Sequence, residues 1–177
     1  IDLSAVQLAH ARALVPDGTF LQADVLEVQL PPASFDAVVS QESFCHIPDV
    51  KKALAEARRI LKTGGRLAFT DWVANQPLAA ADAQLMWDGM AIQPLRSIPD
   101  YRHLIESVGL KVLSVTDLTE EWRPILKDRL AMYQRLREEA RQSGTPVGHD
   151  AFHESYIRFV DLIQERKMGG VRIVATK

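Results

Sequence analysis

Two apolar runs flanking one well-capped helix constrain this chain most. "FDAVVSQ" at 35–41 is a nearly continuous apolar stretch, and "RLAFTDW" at 66–72 is another. Runs of this kind suit strands buried on both faces of a parallel sheet. Between them Asp49 is a good N-cap, and Val50, Ala53, Leu54, Ala57, Ile60 and Leu61 recur at helical spacing. Gly64-Gly65 supplies the left-handed residue that ends a helix. A strand, a helix and a second strand with such short links form a right-handed parallel unit.

The same logic extends in both directions. "IDLS" at the start is a short apolar stretch ending in an acid, followed at once by a helix from Ser4 to Leu14 that Pro16-Asp17-Gly18 stops. "TFLQADV" at 19–25 reads as a short strand, also ending in an acid. Downstream, "LAAADAQLMWDGM" at 78–90 is helical, and Ser97 with Pro99 starts a further helix ended by Gly109. "LKVLSVTDLT" is a strand. Trp122, Leu126, Leu130, Tyr133 and Leu136 mark a long amphipathic helix, and Phe152, Tyr156, Phe159 and Ile163 a second one. "QSGTPVGHD" links them. Gly169-Gly170 turns the chain into a last strand, "VRIVATK". The expected fold class is α/β.

Composition excludes several classes of function. The 177 residues carry a net charge of −2 with dispersed basic residues, which argues against a nucleic-acid partner. Cys45 is the only cysteine, so no disulfide forms within the chain and a reducing, cytoplasmic location is expected. No apolar run approaches the ~20 residues that span a bilayer. His149 and His153 in "HDAFH" lie four apart, but the glutamate of a zincin helix and a third ligand are lacking, so no metal site is expected.

In order and spacing, "IDLS", "QADVLEVQLPPASFDAVVSQESFCHIPD" and "ARRILKTGGRLAFTDW" resemble successive motifs of the class I S-adenosylmethionine-dependent methyltransferases. Residues 1 to about 72 carry the resemblance strongly, and the rest matches in layout. "SQESFCHIPD" and "FTDW" look like the small-molecule methylators, with a lean towards the sarcosine/dimethylglycine N-methyltransferase type. The resemblance implies a Rossmann-like, mostly parallel sheet whose last strand is antiparallel. It implies one partial methyltransferase domain over 1–177. A cofactor-binding core would occupy 1–119, a helical lid 120–168 and the final strand 169–177. The family's first strand and the glycine-rich loop after it have no counterpart here, so the chain is expected to be the C-terminal part of a longer polypeptide.

The implied cofactor is S-adenosyl-L-methionine. Carried over position by position, Asp2 at the end of the first apolar stretch resembles the ribose ligand, with Leu3 beside it; by itself Asp2 also suits a cap for the following helix. Asp24 resembles the acid that accepts the adenine amino hydrogen, with Val25 offering its backbone N–H. Gln41 falls at the carboxyl edge of its strand, near the methionine end. His46 is the candidate catalytic residue, as a base or an orienting group, although it equally suits a cap in "HIPD". Phe44, Asp71, Trp72, Trp87 and Tyr101 are candidate substrate-binding residues. An aromatic wall among them suits a methylated ammonium. Trp122 reads as core on a helical stripe, and Cys45 as a buried structural thiol.

The function expected is methyl transfer to a small molecule, an amine such as a glycine-derived N-methyl amino acid. C- or O-methylation of a lipid or natural product is the enzymatic alternative, and a non-catalytic methyltransferase-like fragment is the other. The expected partner is that small molecule, with a homodimer left open.

Overall fold

A computed structural model describes residues 1–177. Its sheet has four strands: β1 (Phe35–Gln41), β2 (Leu61–Ala74), β3 (Lys111–Asp117) and β4 (Met168–Thr176), in the order β1-β2-β4-β3. β1 and β2 are parallel, and β4 is antiparallel to both β2 and β3. Three strands therefore share one direction and the last opposes them, as the resemblance implied.

The helices follow their sequence signals closely. α1 (Ala5–Leu14) is capped by the Ser4 side chain, and α2 (Val50–Ile60) by Asp49, whose carboxylate accepts from Lys52 N–H at 2.9 Å. α3 spans Ala80–Met90. α4 (Ile98–Ser107) opens on a full capping box, with Ser97 and Asp100 satisfying each other's backbone N–H. α5 (Thr119–Gln142) and α6 (Asp150–Gln164) are the two long amphipathic helices.

Four local expectations need correction. α2 ends at Ile60, so Gly64 is not its cap; Gly64 has φ +77° inside the long strand β2, where its N–H donates to Lys177 O. Gly169 and Gly170 do not turn the chain but lie paired within β4. "FDAVVSQ" is not buried on both faces: β1 is one of the sheet's two outer strands, and Val39 is 77% exposed. The expected strand at 19–25 shrinks to one parallel bridge, Asp2 with Gln22, which stands apart from the four-stranded sheet.

Two cores flank the sheet. On one face Leu67, Phe69, Val73, Val171 and Ile173 pack against Val50, Leu54 and Ala57 of α2 and Tyr101 and Ile105 of α4. Beside the other face, Met86 of α3, Leu126 of α5 and Phe159, Val160 and Ile163 of α6 enclose Cys45 and Met168. Strand geometry separates these cores, since neighbouring residues of β2 point to opposite faces.

Candidate functional site

The carboxyl ends of β1 and β2 point the same way, and ligands of open α/β sheets collect at such an edge. A cavity of about 460 Å³ lies on the face that carries Val39, Gln41, Ala68, Thr70 and Trp72. α5 roofs it with Glu121, Trp122, Ile125, Leu126 and Arg129. The roof can approach because Gly170 pairs with Trp72 across β2 and β4 and has no side chain. A Cβ there would stand 2.2 Å from Cε3 of Trp122. Trp122 therefore lies against the sheet with its ring edge-on to Trp72, centroids 4.6 Å apart, and Phe159 meets Trp72 at 4.7 Å.

The aromatic wall expected from the sequence divides. Trp72 lines the large cavity. Trp87 is 49% exposed and lines a second one, of about 380 Å³, beside Met86, Ile92 and Leu95. Phe44 and Tyr101 belong to the core on the opposite face, Phe44 edge-on to Phe69 with centroids at 4.8 Å. Asp71 is on that face too, and it is fully buried. Residues 71 and 72 are adjacent in a strand, so they cannot share a face. Trp122, read from its stripe as core, is half-buried and lines the cavity as well.

At the edge itself, Glu42 adopts a left-handed conformation (φ +51°) that turns the chain from β1 into the short helical turn Phe44–His46. Cys45 is buried, as expected, with its thiol 3.5 Å from Glu42 O. Nδ1 of His46 lies 3.1 Å from Ala91 O. A carbonyl only accepts, so Nδ1 carries the proton, and Nε2 of this exposed ring is left without a partner within the chain. Burial raises the pKa of Asp71, of Cys45 and of Tyr101, and the Asp71 charge adds to the last two.

Asp2 and Asp24 come together through the bridge between Asp2 and Gln22. Asp2 N–H donates to Leu21 O and Ala23 N–H to Asp2 O, both at 3.1 Å. Each carboxylate uses one oxygen locally: Asp2 Oδ1 accepts from Ser4 N–H at 2.7 Å and Asp24 Oδ1 from Leu26 N–H at 2.8 Å. Each Oδ2 and the Val25 N–H have no partner within the chain. Leu3 is exposed next to Asp2. Sequence reasoning missed Thr70, Glu121, Arg129 and Arg172 on the cavity wall. Arg129 was within reach, seven residues beyond Trp122 on the same helix face. Arg172 was not, because only strand pairing sets it beside Thr70.

Residues 1–69 match the family described as methyltransferase domain. Over 97% of its length the chain is 31% identical to 27-O-demethylrifamycin SV methyltransferase of Amycolatopsis mediterranei.

Its first 69 residues thus match a methyltransferase domain, and over most of its length the chain is related to known methyltransferases.

A dimethylglycine N-methyltransferase of Parasynechococcus marenigrum is 31% identical over 80% of the chain. The chain spans 65% of the first relative's length and 50% of the second's. The fold matches a crystal structure of mycolic acid cyclopropane synthase with TM-score 0.81 and 17% identity, covering 99% of this chain and 68% of that one. No helix is long and apolar enough to cross a membrane.

Proposed function

We propose that this protein transfers a methyl group from S-adenosyl-L-methionine to a small molecule, with an N-methyl amino acid type of amine as the acceptor. The observation that carries the reading is the pair Asp2 and Asp24. A single parallel bridge sets both carboxylates at the end of adjacent chain segments, each with one oxygen unengaged, and the free Val25 N–H lies beside them. Two acceptors and a donor so placed fit a nucleoside: Asp2 would take the ribose hydroxyls, Asp24 the adenine amino group, and Val25 N–H a ring nitrogen. Leu3 would border the sugar, and Gln41, at the edge and on the cavity wall, the methionine end. The solved cyclopropane synthase is described in complex with S-adenosylhomocysteine, which supports the same cofactor for this fold.

When bound, the cofactor supplies an activated methyl group on a sulfonium, so the protein's task is alignment and exclusion of water. Trp72 and Trp122 offer ring faces and edges to an acceptor in the cavity, and a methylated ammonium against them gains ~0.5–2 kcal/mol. His46 would orient the acceptor or take its proton through Nε2. Trp87 would serve the acceptor from the second cavity. α5 and α6 would act as the lid, with the loop between them as its mobile part. A hydroxyl acceptor is the second reading. It is favoured by the first relative's name and by His46, since an O–H requires a base more than a neutral amine does.

The test is titration of S-adenosylhomocysteine into the whole protein, followed by labelled-methyl transfer to dimethylglycine, sarcosine and phenolic acceptors. Asp2→Asn and Asp24→Asn are each expected to weaken nucleoside binding by about tenfold or more, the value of a hydrogen bond to a charged group. Unchanged binding in both variants would remove the cofactor assignment. Transfer to phenols alone would move the acceptor to oxygen.

A further inference from the structure

Asp71 is a buried carboxylate with no cationic partner. Such a group is costly to bury, and an apolar residue would avoid the cost unless the carboxylate satisfies something nearby. It satisfies two groups. Oδ1 accepts from the buried Cys45 N–H at 3.2 Å, and Oδ2 accepts from the Tyr101 hydroxyl of α4. It lines neither cavity, and its side chain points away from the face that bears Trp72.

The turn that Asp71 holds is the one leading from β1 across the candidate site. It has further ties. Glu42 N–H donates to Thr70 O at 2.8 Å, Gln93 N–H to Cys45 O at 2.8 Å, and His46 Nδ1 to Ala91 O at 3.1 Å. Of these, only the bond from Cys45 N–H to Asp71 uses a side chain of β2, and that side chain is itself anchored to α4. Deleting the carboxylate would leave the Cys45 N–H unsatisfied in the interior and free the centre of the turn.

We infer that Asp71 is a positioning residue: from inside the protein, braced by Tyr101, it sets the turn Phe44–His46 against β2 and so fixes Glu42, on the cavity wall, and His46, which follows it in the same turn and lines neither cavity. The role assigned to His46 rests on the proposed methyl transfer; the placement of the turn does not. The structure thus gives Asp71 and Tyr101 a task other than touching substrate.

Cys45 reports on the turn directly. Pulsed alkylation of the native whole protein with iodoacetamide, read on the Cys45 peptide by mass spectrometry, measures how often the turn opens. Hydrogen exchange of the same peptide follows the Cys45 amide. Asp71→Ala is expected to raise both rates by at least about tenfold under conditions where the protein remains folded. Asp71→Asn keeps an acceptor oxygen for the Cys45 N–H and removes the charge, so it is expected to stay within about threefold of the parent. Equal acceleration in both variants would show that the lost charge activates the thiol, and would overturn the inference. So would an unchanged rate in Asp71→Ala. Should that variant fail to fold, Tyr101→Phe removes the brace without opening a cavity. It is expected to raise the exchange of the turn about threefold, and no change there would equally overturn the inference. Neither readout requires methyl transfer, so a failure of the proposed activity leaves this result standing by itself.

Discussion

The first 41 residues and the rest of the chain are built on different terms. Residues 1–41 bury only Leu8 and Val28, whereas β2 alone buries Leu61, Leu67, Phe69, Asp71 and Val73. In the first region, Val39, Leu3, Val6 and Leu14 are exposed apolar side chains. The segment preceding β1 is fastened to the remainder chiefly through α2. Arg59 donates to Val28 O and Leu30 O, each at 2.7 Å, and Ala33 and Ser34 N–H donate to Arg59 O and Ile60 O. The region that resembles the family's nucleotide-binding motifs is thus the more openly packed of the two. The Asp2 and Asp24 carboxylates, which the proposed reading assigns to the cofactor, lie exposed in that region, while the strand that carries both Trp72 and Asp71 is packed on both sides by helices.

The contrast breaks most readily at the tightest place in the packed region. Gly89 of α3 lies against α6, and a Cβ there would stand 1.8 Å from Ser155 Oγ and 2.3 Å from Ala151 O. Ser155 Oγ is already committed to Leu85 O and Ala151 O. Gly89→Ala is expected to cost about 3 kcal/mol by overpacking, read as a lowered urea midpoint.

Next comes the link between the same two helices. Arg158 holds Asp82 in a two-pronged bond, Nε to Oδ1 at 2.7 Å and Nη2 to Oδ2 at 2.9 Å. Arg158→Met is expected to cost about 1–2 kcal/mol near neutral pH, since the pair is partly shielded and bidentate. The hydrogen bond from Arg158 lowers the pKa of Asp82. Its stabilisation is therefore present above the ordinary carboxyl pKa of 3.8 and is lost as pH falls through the lowered value. The gap between variant and parent should close in acid.

Asp71 runs the other way. Burial raises its pKa, so the folded chain binds the proton more tightly than the unfolded chain does. That contribution is complete below 3.8 and is lost as pH rises through the raised value. Cys45 and Tyr101 face it directly, Glu42 acts on Cys45, and Arg96 acts on Tyr101. Asp71→Asn is expected to flatten the fall in urea midpoint above pH 4, and an unchanged slope would place the titration elsewhere.

The smallest effects belong to residues 1–41. Asp24→Asn and Val39→Thr, at exposed positions, are expected to change stability by no more than about 0.5 kcal/mol. Amides before β1 should exchange much faster than those of β2. Slow exchange there would erase the contrast.

Much of this was legible in advance. Caps at Ser4, Asp49 and Ser97 and the apolar periodicity of α2, α5 and α6 located the helices, because those signals act over one or two turns. The antiparallel last strand came from the family resemblance. The burial of β1 was misjudged because an apolar run reports affinity for a core and not whether a neighbour covers it. The aromatic wall was misjudged because residues were pooled by proximity to an edge, while the two-residue period of β2 sends Asp71 and Trp72 to opposite sides.

By itself, then, the sequence determined the helices, the four strands of the sheet and their order, but not the reduction of 19–25 to a single bridge, since capping, periodicity and turn chemistry are local. Tertiary structure alone decided which side of the sheet each residue serves. Only the pairing of Trp72 with Gly170 makes room for Trp122, and only the approach of α4 gives Asp71 its second partner. Contacts between segments so far apart depend on strand register and helix placement, which no local run of residues encodes.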